Sequence, residues 1–270
     1  MFRIGSKFAR SIHRSVSDES SVDVSESDGV RSLYLGTYTV QSAMRINAPY
    51  ALELAYSRGM MCILLFSTTL RDVLAIGLGG GSVPKYIHQY LPGIVTRVIE
   101  INPQIIRIAR SHFQVPENDK RLQVIEGDGV LYLTENLNSA QVLMIDAFDS
   151  NGIPADMCTQ AFFDSCAAAL TNDGMMAINL WGSDKNFDVY LQRIEQSFNQ
   201  RVLMLPTGQP GNIVVFGFRH ALSDLRWTTL RERAKVLELK HKIEFLAFVE
   251  KLREHNPNTN NRLCLGVSLK

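Results

Sequence analysis

Glycine residues follow a short apolar segment in the sequence DVLAIGLGGG, which occupies positions 72–81. Gly77, Gly79 and Gly81 form a GxGxG pattern, whereas Ser82 stands where the dinucleotide fingerprint GxGxxG requires glycine. Glycine permits a tight turn and lets backbone amides approach a ligand, and a helix that begins near Ser82 presents free N–H groups at the same place. The pattern predicts a loop that binds a nucleoside-like ligand; the alternative is a packing turn without a ligand.

Acidic residues stand at or just after the ends of the next two predicted strands. Glu100 lies in VIEINP, where a carboxylate can accept hydrogen bonds from both hydroxyls of a ribose. Asp128 lies in EGDG, where Gly129 leaves room for the carboxylate to bind an adenine amino group. The respective alternatives are a charge at a helix start and an Asp-Gly turn. Because these acids follow the glycine loop in strand order, they favour an adenosine-containing cofactor.

Two further carboxylates, Asp146 and Asp149, stand three residues apart after the fourth predicted strand of this series, in IDAFDSNGIP. An alkylammonium has no lone pair for nucleophilic attack until it loses a proton, so its reaction needs a base. A pair of carboxylates can remove this proton and hold the cation. The pair predicts a site for a cationic amine, with an Asx-turn before Gly152 as the alternative.

The overall composition argues against several classes of partner. The 270-residue chain has a formal net charge of +1 and 20% charged residues, so it has no charge excess of the kind that binds nucleic acid. No apolar segment approaches the roughly 20 residues that span a bilayer, so no membrane partner is expected. The four cysteines are scattered without metal-ligand spacing, which predicts reduced thiols, no metal site and a cytoplasmic location.

Residues 1–17 contain Arg3, Lys7, Arg10 and Arg14 but no acidic residue. This composition is typical of a mitochondrial transit peptide or of a flexible cationic tail. We favour the second interpretation and predict a flexible tail over residues 1–19, because the segment is short and only weakly apolar.

The remaining sequence changes from strand patterns to an alternation of strands and helices. Residues 20–48 have the pattern of a small antiparallel β domain, with a turn-like segment at 27–29. Pro49 suits the first turn of a helix that continues toward Phe66. From Asp72 onward, strands alternate with helices, as in a parallel, doubly wound sheet. The predicted strands are 73–77, 95–101, 122–126, 142–145, 175–180, 202–205 and 213–218, and the predicted helices are 83–90, 103–113, 159–170 and 186–198.

Only residues 206–212 separate the last two strands, which is too short for a parallel crossover and predicts an antiparallel hairpin. The expected fold class is therefore α/β. The pattern favours the Rossmann-like fold of S-adenosylmethionine-dependent transferases, a mostly parallel doubly wound sheet with a terminal antiparallel hairpin, preceded by the small β-strand domain. The Rossmann-like domain is expected over residues 49–270, with two closing helices within 222–255.

These motifs together resemble the spermidine/spermine synthase (polyamine aminopropyltransferase) family, from about Asp28 to about Arg219. That resemblance implies an N-terminal β-strand domain, a Rossmann-like domain and a homodimer. It also implies transfer of an aminopropyl group from decarboxylated S-adenosylmethionine to a diamine, with release of methylthioadenosine. The matching segments are TVQS, DVLAIGLGGGS, VIEINP, GDG, DAFDSNGIP, AFFDSCAAAL and DGMMAINL.

The same resemblance assigns roles by position. Gln41 would contact the nucleoside or the sulfonium side of the donor, Glu100 its ribose and Asp128 its adenine. Asp146 would be the base, and Asp149 would anchor the accepting amine.

The sequence departs from the family pattern in two places. Active members usually read GGGDGG in the glycine loop, with an aspartate that holds the aminopropyl amine, and Gly80 stands at that position here. They also contain a Tyr-His-Glu segment before the sheet, whereas here Tyr50 is followed by Ala51 and Leu52. Three hypotheses follow: an aminopropyltransferase, a methyltransferase-like enzyme that uses intact S-adenosylmethionine, and a non-catalytic nucleoside-binding protein without the amine site.

Overall fold

Two β-sheets form the framework of the protein, for which the computed structural model describes residues 10–16, 21–36, 39–148, 152–208 and 211–267. The smaller sheet is antiparallel, and its four strands are adjacent in chain order. Asp28 and Gly29 both have positive φ and form the two-residue turn between its second and third strands, as the twist of a hairpin requires. The strands are β1 (Arg10–Val16), β2 (Ser21–Ser27), β3 (Val30–Leu35) and β4 (Val40–Arg45).

The N-terminal segment differs from the predicted flexible tail over residues 1–19, because residues 10–16 form β1 and pair with β2. The basic composition did not indicate this strand, because the segment becomes a strand by pairing with the edge of β2, which net charge does not reveal. Arg14 of β1 lies 3.4 Å from Asp23 of β2. One of the positive charges that indicated a tail therefore has a partner in the sheet.

Two short helices, α1 (Ala55–Met60) and α2 (Ile63–Phe66), connect the sheets. The prediction of a helix that starts at Pro49 was wrong, because Pro49 lies in a turn. Its carbonyl oxygen accepts a hydrogen bond from the Nζ atom of buried Lys85 at 2.9 Å. A tertiary contact thus helps to hold this segment in a conformation that local sequence does not specify.

The larger sheet has seven strands, which are β5 (Asp72–Ile76), β6 (Val95–Glu100), β7 (Leu122–Glu126), β8 (Ala140–Ile145), β9 (Leu170–Trp181), β10 (Val202–Pro206) and β11 (Asn212–Phe218). Their order across the sheet is β10-β11-β9-β8-β5-β6-β7. Strands β5 to β9 pair in parallel, and β11 is antiparallel to both of its neighbours. The predicted α/β fold class with a terminal antiparallel hairpin is confirmed.

Helices follow most of these strands, at the positions expected from the sequence except for one that was missed, at Gly129–Glu135. Asp128 caps the start of that helix, so the predicted Asp-Gly turn is also a helix start. No helix within the described residues is long and apolar enough to cross a membrane. The helices are α3 (Ser82–Tyr90), α4 (Pro103–Phe113), α5 (Gly129–Glu135), α6 (Gln160–Ala169), α7 (Phe187–Ser197), α8 (Trp227–His241) and α9 (Phe245–His255).

Alternate residues of β5 belong to two different apolar cores. Val73 and Ala75 pack in the core that contains α3, α4, α8, α9 and part of the small sheet. Leu74 and Ile76 pack in the core that contains α5, α6 and α7. Helices on both faces of a parallel sheet make the arrangement doubly wound, which leaves the carboxyl edge of the strands open for a ligand. The division into domains at residues 48 and 49 stays a prediction.

Candidate active site

A cavity of about 270 Å³ lies at the carboxyl edge of the parallel strands, where the loops after β5, β6, β7 and β8 meet. Open α/β sheets bind their ligands at this edge. Gly81 does not line the cavity, and Asp149 lies outside the described residues. The predicted site residues that do line it are Gln41, Gly77, Gly79, Glu100, Asp128, Gly129 and Asp146.

Gly77 and Gly79 bring bare backbone to the cavity wall, with φ values of 90° and 53°. A β-carbon on Gly77 would lie 2.4 Å from the backbone oxygen of Asp146, and one on Gly79 would lie 3.1 Å from Ser42 Oγ. Both the positive φ and the close approach therefore require glycine.

Gly80 and Gly81 pack against protein. The N–H of Gly80 donates a hydrogen bond to Ser42 Oγ at 2.9 Å. A β-carbon on Gly80 would lie 2.9 Å from Phe113 Cδ1 and also 2.9 Å from Ser42 Cβ, so the space in which a side chain would start is filled. A β-carbon on Gly81 would lie 2.3 Å from Val115 Cγ2. Gly81, predicted to contact the cofactor, is the N-cap residue of α3 and packs on Val115.

Glu100 ends β6 with a buried carboxylate that backbone amides orient. Its Oε2 accepts a hydrogen bond from Leu78 N–H at 2.8 Å, and its Oε1 accepts one from Asn102 N–H at 2.9 Å. Burial raises the pKa of Glu100, and the backbone hydrogen bonds oppose this effect because they stabilise the charged form. The carboxylate is thereby held in one orientation at the cavity wall, with lone pairs left for further donors.

Asp128 is exposed and stands at the N-terminus of α5, where its Oδ1 accepts hydrogen bonds from Val130 N–H at 2.7 Å and Leu131 N–H at 3.2 Å. A β-carbon on Gly129 would lie 2.4 Å from Ile76 Cγ2, so Gly129 allows α5 to approach β5. Asp128 therefore both caps α5 and lines the cavity.

Asp146 follows β8 and is partly buried, with side chains of two distant elements on its carboxylate. Asn179 of β9 donates from Nδ2 to its Oδ1 at 2.9 Å, and the hydroxyl of Tyr56 on α1 also hydrogen bonds with it. Burial raises the pKa of Asp146, and these two donors oppose the increase. Burial and the charge of Asp146 raise the pKa of Tyr56. Tyr56 therefore stays a neutral phenol beside a carboxylate whose proton affinity is increased.

Gln41 approaches the same end of the cavity from the small sheet. Its backbone carbonyl oxygen lies 3.1 Å from Tyr56 Oη and shares the single hydroxyl proton of Tyr56 with the carboxylate of Asp146. Its side-chain Nε2 is buried and has no hydrogen-bond partner among the described residues. A buried amide nitrogen without a partner is costly, so Nε2 of Gln41 is available to donate a hydrogen bond to a bound ligand.

An aromatic pair borders the cavity beside Asp146. The rings of Phe148 and Trp181 are stacked, with centroids 5.3 Å apart and planes at 21°. Phe148 lines the cavity, together with Pro154, Asp156 and Met157. This wall supplies apolar surface next to the carboxylate.

The sequence resembles known proteins over most of its length. The family model described as the Spermine/spermidine synthase domain matches residues 53–217. The chain belongs to the spermine/spermidine synthase family. A polyamine aminopropyltransferase of Chromobacterium violaceum is 37% identical over 258 residues, which are 96% of this chain and 99% of that relative. A polyamine aminopropyltransferase of Neisseria meningitidis serogroup A is 36% identical over 90% of this chain and 93% of the relative.

The fold is also similar to that of a crystal structure of spermidine synthase in complex with the transition state analogue AdoDATO. The TM-score is 0.72 at 17% identity, with 89% of this chain and 85% of that chain covered. The predicted resemblance to the spermidine/spermine synthase family is thus confirmed.

In this chain the tyrosine beside Asp146 is Tyr56, whereas Tyr50, which was compared with the family pattern from the sequence, lies in a turn. Sequence reasoning missed Tyr56 and Asn179. Tyr56 stands in a weakly patterned segment, and Asn179 interrupts the apolar strand β9. A polar residue inside an otherwise apolar buried strand was the one available signal for Asn179.

Acidic side chains dominate the titratable groups of the site. The described lining residues include no Lys, Arg or His. No group of three or more His, Cys, Asp or Glu in the described part of the chain is arranged to hold a metal ion. The acids that line the cavity are Glu100, Asp128, Asp146 and Asp156.

Proposed function

We propose that this protein is an aminopropyltransferase that transfers an aminopropyl group from decarboxylated S-adenosylmethionine to a di- or polyamine. The observation that carries the proposal is the cavity itself, in which Asp146, a carboxylate with raised pKa, lines the same wall as Glu100 and Asp128. Named polyamine aminopropyltransferases are similar to this chain over nearly its whole length, which supports the same activity.

The nucleoside of the donor would lie along the glycine loop. The carboxylate of Glu100, already oriented by two amides, would accept hydrogen bonds from the ribose hydroxyls. Asp128 would bind the adenine amino group with the oxygen that does not cap α5. Gly77 and Gly79 would let the backbone approach the ligand. Gln41 would give its unpartnered amide to the sulfonium side of the donor.

At the reaction end, Asp146 would take a proton from the attacking ammonium, and Asp149 would hold the same amine. When bound, the donor supplies a sulfonium, a good leaving group. The new C–N bond forms as the C–S bond breaks, the electron pair leaves with the sulfur of methylthioadenosine, and the proton goes to Asp146. Burial makes Asp146 a stronger base than an exposed aspartate, and the hydrogen bonds from Tyr56 and Asn179 orient it.

The charge of the cavity favours the decarboxylated donor over intact S-adenosylmethionine. The decarboxylated molecule bears a sulfonium and an ammonium, whereas the intact one adds a carboxylate. The described lining contains four acidic side chains and no Lys, Arg or His. It therefore attracts the two positive charges of the decarboxylated donor and repels the added carboxylate of the intact one. This preference does not depend on an aspartate at position 80, where this chain has glycine.

The test is mass-spectrometric detection of the nucleoside product. Purified protein is incubated with decarboxylated or intact S-adenosylmethionine and a panel of di- and polyamines. Methylthioadenosine that forms only with the decarboxylated donor and an amine supports the proposal. S-adenosylhomocysteine from the intact donor would indicate methyl transfer instead, and binding of nucleoside without either product would indicate a non-catalytic protein.

Three further expectations accompany this proposal. We expect a homodimer, measurable by light scattering after size-exclusion chromatography, and a cytoplasmic location. We also expect residues 20–48 to form a small β domain that precedes the Rossmann-like domain of residues 49–270.

A further inference from the structure

Asn179 is a polar residue in the middle of the large sheet. It lies on β9 between Ile178 and Leu180, and its side chain is 2% exposed. An amide at such a position costs free energy unless both its donor and its acceptor are paired. Both are paired here, and one of the two partners is Asp146.

The amide of Asn179 is oriented by a second amide. Its Nδ2 donates to Asp146 Oδ1 at 2.9 Å, and its Oδ1 accepts a hydrogen bond from Asn212 Nδ2 at 2.9 Å. Asn212 begins β11, so the bond crosses from one strand to the next. Because Asn212 donates to the oxygen of Asn179, the NH₂ group of Asn179 is directed to the carboxylate and cannot rotate away without losing both bonds.

Asn212 is in turn held by Thr207, which directly follows β10. Its backbone carbonyl accepts hydrogen bonds from Thr207 N–H and from Thr207 Oγ1, both at 2.9 Å. Thr207 is buried, and its Cγ2 lies only 2.4 Å from where a β-carbon of Gly59 would be. Gly59 belongs to α1, the helix that carries Tyr56. The two groups on Asp146 therefore come from elements that are packed on each other.

From these contacts we infer that Asn179 is a positioning residue for Asp146, and that Asn212 holds Asn179 in the orientation that donates to the carboxylate. This inference rests on the proposed function, in which Asp146 accepts the proton of the amine. The amide bond fixes the plane of the carboxylate and stabilises its ionised form. Asp146 thus remains ready to accept a proton in an enclosed site.

In the part of the chain that the structure describes, the titratable groups around Asp146 are Tyr56 on α1 and the other acids that line the cavity, Glu100, Asp128 and Asp156. Asn179 and Asn212 are neutral, so their removal changes hydrogen bonding without changing charge. The hydrogen bond from Asn179 lowers the pKa of Asp146, whereas burial raises it. Loss of this donor therefore raises the pKa of Asp146 further. A base must be deprotonated to act, so the acidic limb of the pH–rate profile moves to higher pH.

The experiment compares the pH dependence of kcat for methylthioadenosine formation in three variants. We expect Asn179→Leu to lower kcat and to move the acidic limb upward by about one pH unit. We expect Asn212→Ala, which leaves Asn179 in place, to move the limb in the same direction by a smaller amount. Asn256→Leu is the matched control, because Asn256 is a buried asparagine that bonds to the backbone of Met204, and Met204 does not line the cavity.

A lower kcat with an unchanged acidic limb in both Asn179→Leu and Asn212→Ala would overturn the inference, because a purely structural role lowers the amount of active protein and not the pKa of the base. A shift of equal size in Asn256→Leu would also overturn it.

A measurement that needs no turnover distinguishes failure of this inference from failure of the proposed function. The carboxyl carbon of Asp146 is followed by NMR as pH varies, in protein with labelled aspartate, and is assigned by its loss in Asp146→Asn. An upward shift of its titration in Asn179→Leu supports the positioning role even if no amine reacts. An unchanged titration contradicts it even in an active enzyme.

Discussion

The two ends of the cavity are built in different ways. At the end proposed to bind the nucleoside (the nucleoside end), Asp128 is held by amides two and three residues away, and Glu100 by the amide of Asn102 and by the glycine loop. At the reaction end, Asp146 is held by side chains from α1 and β9, and the nearer of these, Asn179, is 33 residues away in the sequence. The nucleoside end is thus mostly a product of local motifs, whereas the reaction end is a product of tertiary packing.

Because of this difference, we expect nucleoside binding and turnover to be lost independently of each other. A change at the reaction end leaves the amides that orient Glu100 and Asp128 in place, so nucleoside binding should persist when chemistry is lost. A change at the nucleoside end should weaken binding of donor and product alike. The predictions below test this separation in order of decreasing expected effect.

The largest effect is expected for Asp146→Asn. Loss of the base should lower methylthioadenosine formation about 100- to 10,000-fold, because an asparagine cannot take the proton of the ammonium. The increase in melting temperature produced by methylthioadenosine should stay near that of the wild type. Asp188→Asn, an exposed change on α7, serves as the control with unchanged turnover. Turnover close to wild type in folded Asp146→Asn would remove Asp146 from the mechanism.

The next effect is expected for Glu100→Gln. Glutamine offers one acceptor oxygen instead of two and places an NH₂ group against backbone donors, so the affinity for methylthioadenosine should fall about 10- to 100-fold. Isothermal titration calorimetry measures this change. Glu126→Gln is the matched control, since Glu126 is the exposed residue opposite Glu100 on β7. Equal loss of affinity in both variants would contradict a specific role for Glu100.

A smaller effect, on stability, is expected for Gly80→Asp. A β-carbon at this position meets Ser42 and Phe113 at 2.9 Å, so the change should destabilise the protein by about 1–3 kcal/mol rather than improve catalysis. Urea unfolding measures the difference. Gly93→Asp is the control, because nothing lies within 4 Å of its β-carbon. The second change Ser42→Gly should recover part of the loss; unaltered stability of Gly80→Asp alone would refute the steric argument.

The smallest effect concerns the pH dependence of stability. Burial raises the pKa of Asp146 above its unfolded value, so its contribution to stability is present at low pH and is lost as pH rises through the folded-state pKa. Asp146→Asn should therefore melt about 1–3 °C higher than the wild type at pH 8, and the gap should narrow as pH falls through the folded-state pKa of Asp146. Differential scanning fluorimetry of both proteins and of Asp188→Asn checks this. A wild type that is more stable than Asp146→Asn at pH 8 would contradict the sign.

Prediction from sequence succeeded where the signal is local. Strand β7 and helix α4 have the predicted bounds, because apolar periodicity and the capping residue Asn102 before Pro103 specify them directly. Prediction was wrong for the helix start at Pro49 and for β1, because a contact with Lys85 and pairing with β2 decide these segments. Neither contact is visible in the neighbouring residues.

By itself the sequence determined the family, the α/β fold and the set of acids at strand ends, because glycines, strand periodicity and short motifs act within a few residues. Only the tertiary structure decided that Gly80 has no room for a side chain and that Tyr56 and Asn179 meet at Asp146. These facts depend on how α1, β4, α4 and β9 pack around the cavity. Packing brings together residues whose spacing along the chain carries no signal of their contact.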